Sequence, residues 1–117
     1  MKGLGWLPAA RNSLDGLRHA LRHERSVRQE GFVFLVAVPA AVFIAQDARH
    51  AVLLLGSLLL VVAVELLNNA IEAVCDRLTR ERDPAIKIAK DSGSAAVSVS
   101  IAIALAAWVE AFWSFLR

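Results

Sequence analysis

Tyrosine is absent from this chain, and cysteine occurs once, as Cys75. A single cysteine excludes an internal disulfide, and no Cys/His set has zinc-site spacing. The chain contains no G-x-x-x-x-G-K-S/T loop and no kinase catalytic-loop pattern, so nucleotide chemistry here cannot use the common folds. Net charge is only +2, which gives no bulk argument for nucleic acid. The basic residues are interleaved with acids beside apolar runs, unlike a DNA-binding face. No internal repeat or low-complexity tract is visible, and the amino terminus lacks the h-region expected of a signal peptide.

Apolar material is plentiful instead. Hydrophobic residues make up 57% of the 117 positions, against about 45–50% in ordinary soluble domains, and mean hydropathy is +0.54. That composition excludes a disordered tail, a collagen-like chain and a disulfide scaffold. The length allows one domain. Residues 31–45, GFVFLVAVPAAVFIA, carry no charge. Residues 51–75 run uncharged for fourteen positions before Glu65, Asn68, Asn69 and Glu72 interrupt them. Residues 93–116 hold one acid, Glu110.

A membrane-crossing helix takes about 20 largely apolar residues. The second and third runs reach that length, and the first does so if its helix extends beyond 31–45. Expected spans are 29–46, 51–76 and 92–116. A soluble helical bundle is the alternative, but three such runs leave little polar surface to cover them.

Lys and Arg divide unevenly between the connectors. Residues 1–30 and 76–92 carry eleven, and Arg49 and Arg117 are the other two. The positive-inside rule places the eleven in the cytoplasm and the carboxyl terminus outside. Residues 13–28 read as an amphipathic surface helix, with Leu14, Leu17 and Leu21 on one face and Ser13 as a candidate N-cap. An anchor on anionic lipid has no use for Glu24, which projects near the leucine stripe.

The second run carries the chemistry. Glu65, Asn68, Asn69, Glu72 and Asp76 fall within an arc of roughly 100° on an ideal helix. Each membrane-embedded acid costs about 2.5–3.5 kcal/mol or more, so two acids and two amides on one stripe point to a protein-facing site. Polar glue between helices is the competing explanation. With Asp76 marking the cytoplasmic end, Glu72 lies roughly 6 Å and Glu65 roughly 16 Å inside it. At about 10 Å apart along the axis, Glu65 and Glu72 cannot share one ion. Glu72 suits a hydrated divalent ion near water, and Glu65 suits acid–base work on a lipid hydroxyl. Lys90 and Arg82 supply positive charge for phosphates. Gly93, Ser94, Ala95 and Ala96 allow close helix packing.

E-L-L-N-N-A-I-E-A-V-C-D-R at 65–77, followed by I-A-K-D-S-G-S-A-A-V at 88–97, closely resembles the prokaryotic diacylglycerol kinase family. G-L-R at 16–18, Glu24 and R-Q-E-G at 28–31 fall at matching intervals. The resemblance covers residues 13–117. It implies an all-α membrane protein of the bacterial inner membrane, with an N-terminal amphipathic surface helix and three transmembrane helices. It also implies a homotrimer with sites shared between subunits, using ATP and Mg²⁺ to phosphorylate diacylglycerol. By the same resemblance Glu65 is the catalytic base, and Glu24 and Glu72 are metal ligands that hold the nucleotide's ion. Glu81, Lys90 and Asp91 match nucleotide positions, and Arg28, Gln29, Glu30, Asn68 and Ser94 match positions near the lipid or supporting the site. Gly5, Asn12 and Asp83 depart from the arginine, tyrosine and histidine of the best-known members. A related branch phosphorylates undecaprenol, and a non-enzymatic oligomeric membrane module is the reading from another class.

Overall fold

A computed structural model describes residues 5–78 and 81–117. Lys2 and Arg80, counted above with the basic side, lie outside these residues. The chain forms four helices: α1 (Trp6–His23), α2 (Arg25–Ile44), α3 (Ala48–Leu78) and α4 (Pro84–Leu116). The last three are long and apolar enough to cross a membrane, which makes this a multi-pass membrane protein. Their outward faces are greasy: Leu35 is 70% exposed and Phe43 80% exposed. A soluble bundle would not leave so continuous an apolar belt in water, whereas lipid covers it without cost.

The first helix differs from the expected 13–28. It starts at Trp6, seven positions earlier, and Ser13 is an interior residue whose hydroxyl donates to the Ala9 carbonyl at 3.0 Å. Pro8 sits in the first turn, where a missing N–H costs nothing. The helix also ends earlier, because Glu24 is extended (φ −108°, ψ 112°) and separates α1 from α2. No glycine or proline makes this elbow. The Arg28 guanidinium donates back to the carbonyls of Arg22 (2.8 Å) and Leu21 (3.4 Å), which the end of α1 leaves unpaired. Leu14, Leu17 and Leu21 stay partly exposed on α1, and only Ala20 is buried there.

The other connectors are built from caps. Asp47 accepts from the His50 N–H at 2.8 Å, and His50 Nδ1 accepts from the Gln46 N–H at 3.1 Å. That reciprocal pair starts α3 earlier than the expected position 51. Asp83 accepts from the Ala85 N–H at 2.8 Å with Pro84 in the first turn, so α4 begins at Pro84 rather than 92.

α3 is central, packing most extensively on α4 and then on α2. At the end near residues 45–47, Ala41, Ile44, Leu54 and Ala111 form a close-packed plug, with Ala107 and Trp108 against it. Three of these four are at most 1% exposed. The Trp108 indole N–H donates to the Leu54 carbonyl at 3.1 Å, tying α4 to α3. The small residues allow the helices to approach. The opposite half of α3 carries the polar side chains, with Glu65, Asn68 and Cys75 buried.

Candidate active site on the second span

Glu65 and Asn68 are each 8% exposed on α3, covered within one chain. Further along the same stripe, Glu72 and Asp76 are exposed. Asn68 Nδ2 donates to Glu72 at 3.4 Å. This chain therefore buries Glu65 and Asn68 in the deep half of the stripe and leaves Glu72 and Asp76 in the shallow half open.

α2 delivers the second carboxylate. Glu30 on α2 and Glu65 on α3 lie close enough to act on each other's charge across the helix interface. Glu30 Oε1 is nonetheless a buried oxygen without a hydrogen-bond donor, and Asn68 Oδ1 and Asn69 Nδ2 are buried and unpartnered as well. Buried polar atoms of this kind are rarely left bare in native proteins. Glu24 and Glu72 also lie close enough to Glu65 to act on its charge. Four carboxylates from the elbow, α2 and α3 are thus gathered in one chain, although only Glu65 and Glu72 share a helix.

α4 contributes by having nothing at one position. A Cβ added to Gly93 would collide with the Asn68 amide, so glycine is what lets Asn68 lie between α3 and α4. Gly93→Ala should lower stability by about 1–3 kcal/mol through displacement of Asn68. The check is unfolding in mixed micelles, where Asn68→Ala should restore most of the loss in the double variant.

Lys90 pairs with Asp76 at 2.6 Å, joining the ends of α3 and α4, and it also lies within electrostatic reach of Glu72. Asp91 pairs with Lys87 at 2.5 Å. Both ion pairs are well exposed and contribute at most about 1 kcal/mol each. Glu81, Arg82 and Asp83 join Lys87, Lys90 and Asp91 around a cavity of about 480 Å³ at this end. Asp83, the departure noted above, is occupied as a helix cap. Arg28 is a structural brace for α1, Gln29 is exposed on α2, and Ser94 is exposed on α4 with its carbonyl accepting from Ser98 at 3.3 Å.

A second cavity, about 530 Å³, lies between the spans. Glu30 is its only ionisable lining residue. From there it runs past Val33, Val36 and Ala40 of α2, Leu58 and Val61 of α3, and Ile101 and Leu105 of α4 to Trp108. Sequence periodicity could not reveal it, because it is made by the register between helices.

Taken together, three apolar spans, a polar stripe on the second whose Glu65 and Asn68 are buried, and a charged cavity at the same end define a multi-pass membrane protein with a polar site inside its helical bundle. A family model for prokaryotic diacylglycerol kinase matches residues 11–112. The diacylglycerol kinase of Escherichia coli (strain K12) is 45% identical over 108 residues, covering 92% of this chain and 88% of that one. Those of Pseudomonas aeruginosa and Haemophilus influenzae are 39% and 38% identical, over 87% and 82% of this chain and 83% and 81% of theirs. The chain belongs to the prokaryotic diacylglycerol kinase family.

Proposed function

We propose that this chain, acting as a single domain over residues 1–117, transfers the γ-phosphate of ATP to diacylglycerol and releases phosphatidic acid at the cytoplasmic face of the inner membrane. Its activity is that of a lipid kinase, the activity named for its relatives. The observation that carries this reading is the buried carboxyl of Glu65 close to Glu30, which lines the polar end of an apolar cavity. An acyl chain lies in the cavity, and the lipid hydroxyl meets Glu65. Glu65 accepts the hydroxyl proton as the oxygen attacks phosphorus, and Asn68 and Glu30 hold the hydroxyl and the base in register. Glu81, Lys90 and Asp91 bind the nucleotide in the charged cavity, with Lys90 released from Asp76 to the phosphates. Arg28, Gln29 and Ser94 support the site from its edge, Arg28 through the elbow that carries Glu24.

The donor set suits Mg²⁺. Glu24 and Glu72 offer hard carboxylate oxygens, and Mg²⁺ characteristically takes one or two carboxylates and fills its remaining positions from phosphate and water. Among the described residues no cluster of three protein ligands joins them. When bound, the ion neutralises charge on the transferring phosphates.

α1 lies on the cytoplasmic membrane surface with its partly exposed leucines in the interface. Gly56, Ala63 and Ala70, seven residues apart, are exposed on α3. That seam of small residues suits α3 packing on its own copies, in a homotrimer. The exposed Glu72 lies toward a neighbour, whose Glu24 completes a shared site.

Orientation is tested by cysteine labelling in a Cys75→Ser background. An impermeant thiol reagent added outside should modify Ala48→Cys and spare Ala85→Cys, and the reverse pattern would overturn the topology. Substrate class is tested by presenting diacylglycerol, undecaprenol and ceramide to the purified protein with labelled ATP. Diacylglycerol should give the highest turnover. A preference for undecaprenol would move the enzyme to the polyprenol branch, and no labelled lipid would favour a non-enzymatic module.

A further inference from the structure

The apolar cavity has a definite far end. On α2 it extends from Glu30 to Ala40, about 15 Å along the helix axis. There Trp108 lies across it, fixed by its N–H bond to the Leu54 carbonyl. Behind Trp108 the plug of Ala41, Leu54 and Ala111 leaves no room, since each is at most 1% exposed. The sides differ from the end: Phe32 is 68% exposed and Leu105 60% exposed, so the groove is open to lipid along its length. An acyl chain can enter from the side, but one that outruns the groove must bend outward where it meets the indole.

We propose that Trp108, latched to the Leu54 carbonyl, is the floor of the acyl groove and determines which acyl-chain length the enzyme prefers. This rests on the lipid-kinase reading above. The polar end is set by Glu30, which lines the cavity and whose buried Oε1 lacks a donor, with the buried Glu65 close by on α3. The reacting hydroxyl is therefore held at one end while the floor stands at the other, and the distance between them becomes a ruler. The bilayer is itself apolar, so a chain gains little by leaving lipid for the groove. Selectivity comes from fit, as a long chain forced to bend loses contacts that a matched chain keeps.

The test uses the full-length protein in mixed micelles. Initial rates are measured with dioctanoyl-, didecanoyl-, dilauroyl-, dimyristoyl- and dipalmitoylglycerol at equal mole fractions. The wild type should show a maximum of kcat/KM within the series. Trp108→Leu should move that maximum to longer chains and raise the ratio of long-chain to medium-chain kcat/KM about tenfold, the low end for a methylene-scale change in an apolar pocket. Val36→Trp, which fills the groove partway from its lipid-facing rim, should move the maximum to shorter chains. If Trp108→Leu does not fold, Val36→Trp decides alone. Trp113→Leu changes a lipid-facing side chain that is 65% exposed and does not line the groove, so it should keep the wild-type profile. Identical profiles in the wild type, Trp108→Leu and Val36→Trp would overturn the floor while leaving the kinase intact. A wild type that phosphorylates no diacylglycerol of any length would overturn the kinase reading, and this inference with it.

Discussion

Glu65→Gln should lower kcat by about 10²–10⁴-fold, the usual value of a general base, while leaving KM for ATP nearly unchanged. Phosphoryl transfer requires the attacking oxygen in line with the γ-phosphate and relieved of its proton. A diacylglycerol hydroxyl lies just below the headgroups and cannot rise far into water without exposing its acyl chains. The base must therefore lie below the membrane surface. Glu65 fits: it is 8% exposed, roughly 16 Å along α3 from Asp76, and next to the carboxyl that lines the apolar groove. The amide of Gln keeps the shape and removes the basicity. Asp should recover little, because a carboxylate drawn back by one methylene misses the hydroxyl. A variant that keeps kcat and loses only oligomer stability would make the stripe packing glue and shift the role of base to Asp91.

Glu24→Gln and Glu72→Gln should each lower turnover at limiting Mg²⁺ by about two orders of magnitude, as expected for loss of several kcal/mol of charge stabilisation. Neither change should unfold the chain. Glu72 is exposed, and Glu24 lies at the elbow, where its backbone conformation rather than its side chain divides the helices. Wild-type rates in both variants at limiting Mg²⁺ would remove the metal assignment. Their combination with Glu65 variants reports on sharing. Mixed oligomers of inactive Glu65→Gln and inactive Glu24→Gln chains should recover activity, because one subunit then holds an intact base beside its neighbour's intact Glu24. No recovery in a preparation shown to exchange subunits would mean that each chain completes its own site. Within one chain Glu24 lies near enough to Glu65 to influence its charge, so the experiment separates two geometries that are both open to this elbow.

What could be read from the sequence follows a physical line. The three spans were legible because uncharged runs have few alternatives in water, and the stripe on α3 was legible because it needs only the period of one helix. The boundaries were less so. Residues 6–12 lack the leucine period that announced 14–21, and the start of α1 depends on Pro8 in a first turn. The elbow at Glu24 has no breaker residue of its own. It is held by Arg28, a side chain four positions later that reaches back to the carbonyls of Leu21 and Arg22, and no local propensity encodes that reach.

The site divides in the same way. Glu65, Asn68 and Glu72 declared themselves by spacing, Glu24 by its place beside the leucine stripe and Lys90 by its charge, whereas Glu30, Glu81 and Asp91 entered through resemblance to a family, which also gave Glu24 its metal role. Their assembly depends on helix register: Glu30 against Glu65, Gly93 beneath Asn68, and Lys90 on Asp76. Each is a contact between helices, whose relative height is set by the plug around Leu54 and by the Asp47 and Asp83 caps. Spacing along one helix cannot supply that height.

The most direct measurement is phosphate transfer itself, comparing purified wild type with Glu65→Gln in diacylglycerol micelles containing Mg²⁺ and γ-labelled ATP. Label should appear in phosphatidic acid for the wild type and be nearly absent for a variant that is still folded and still binds ATP. Equal labelling of phosphatidic acid by the two proteins would contradict the role of Glu65 as the base.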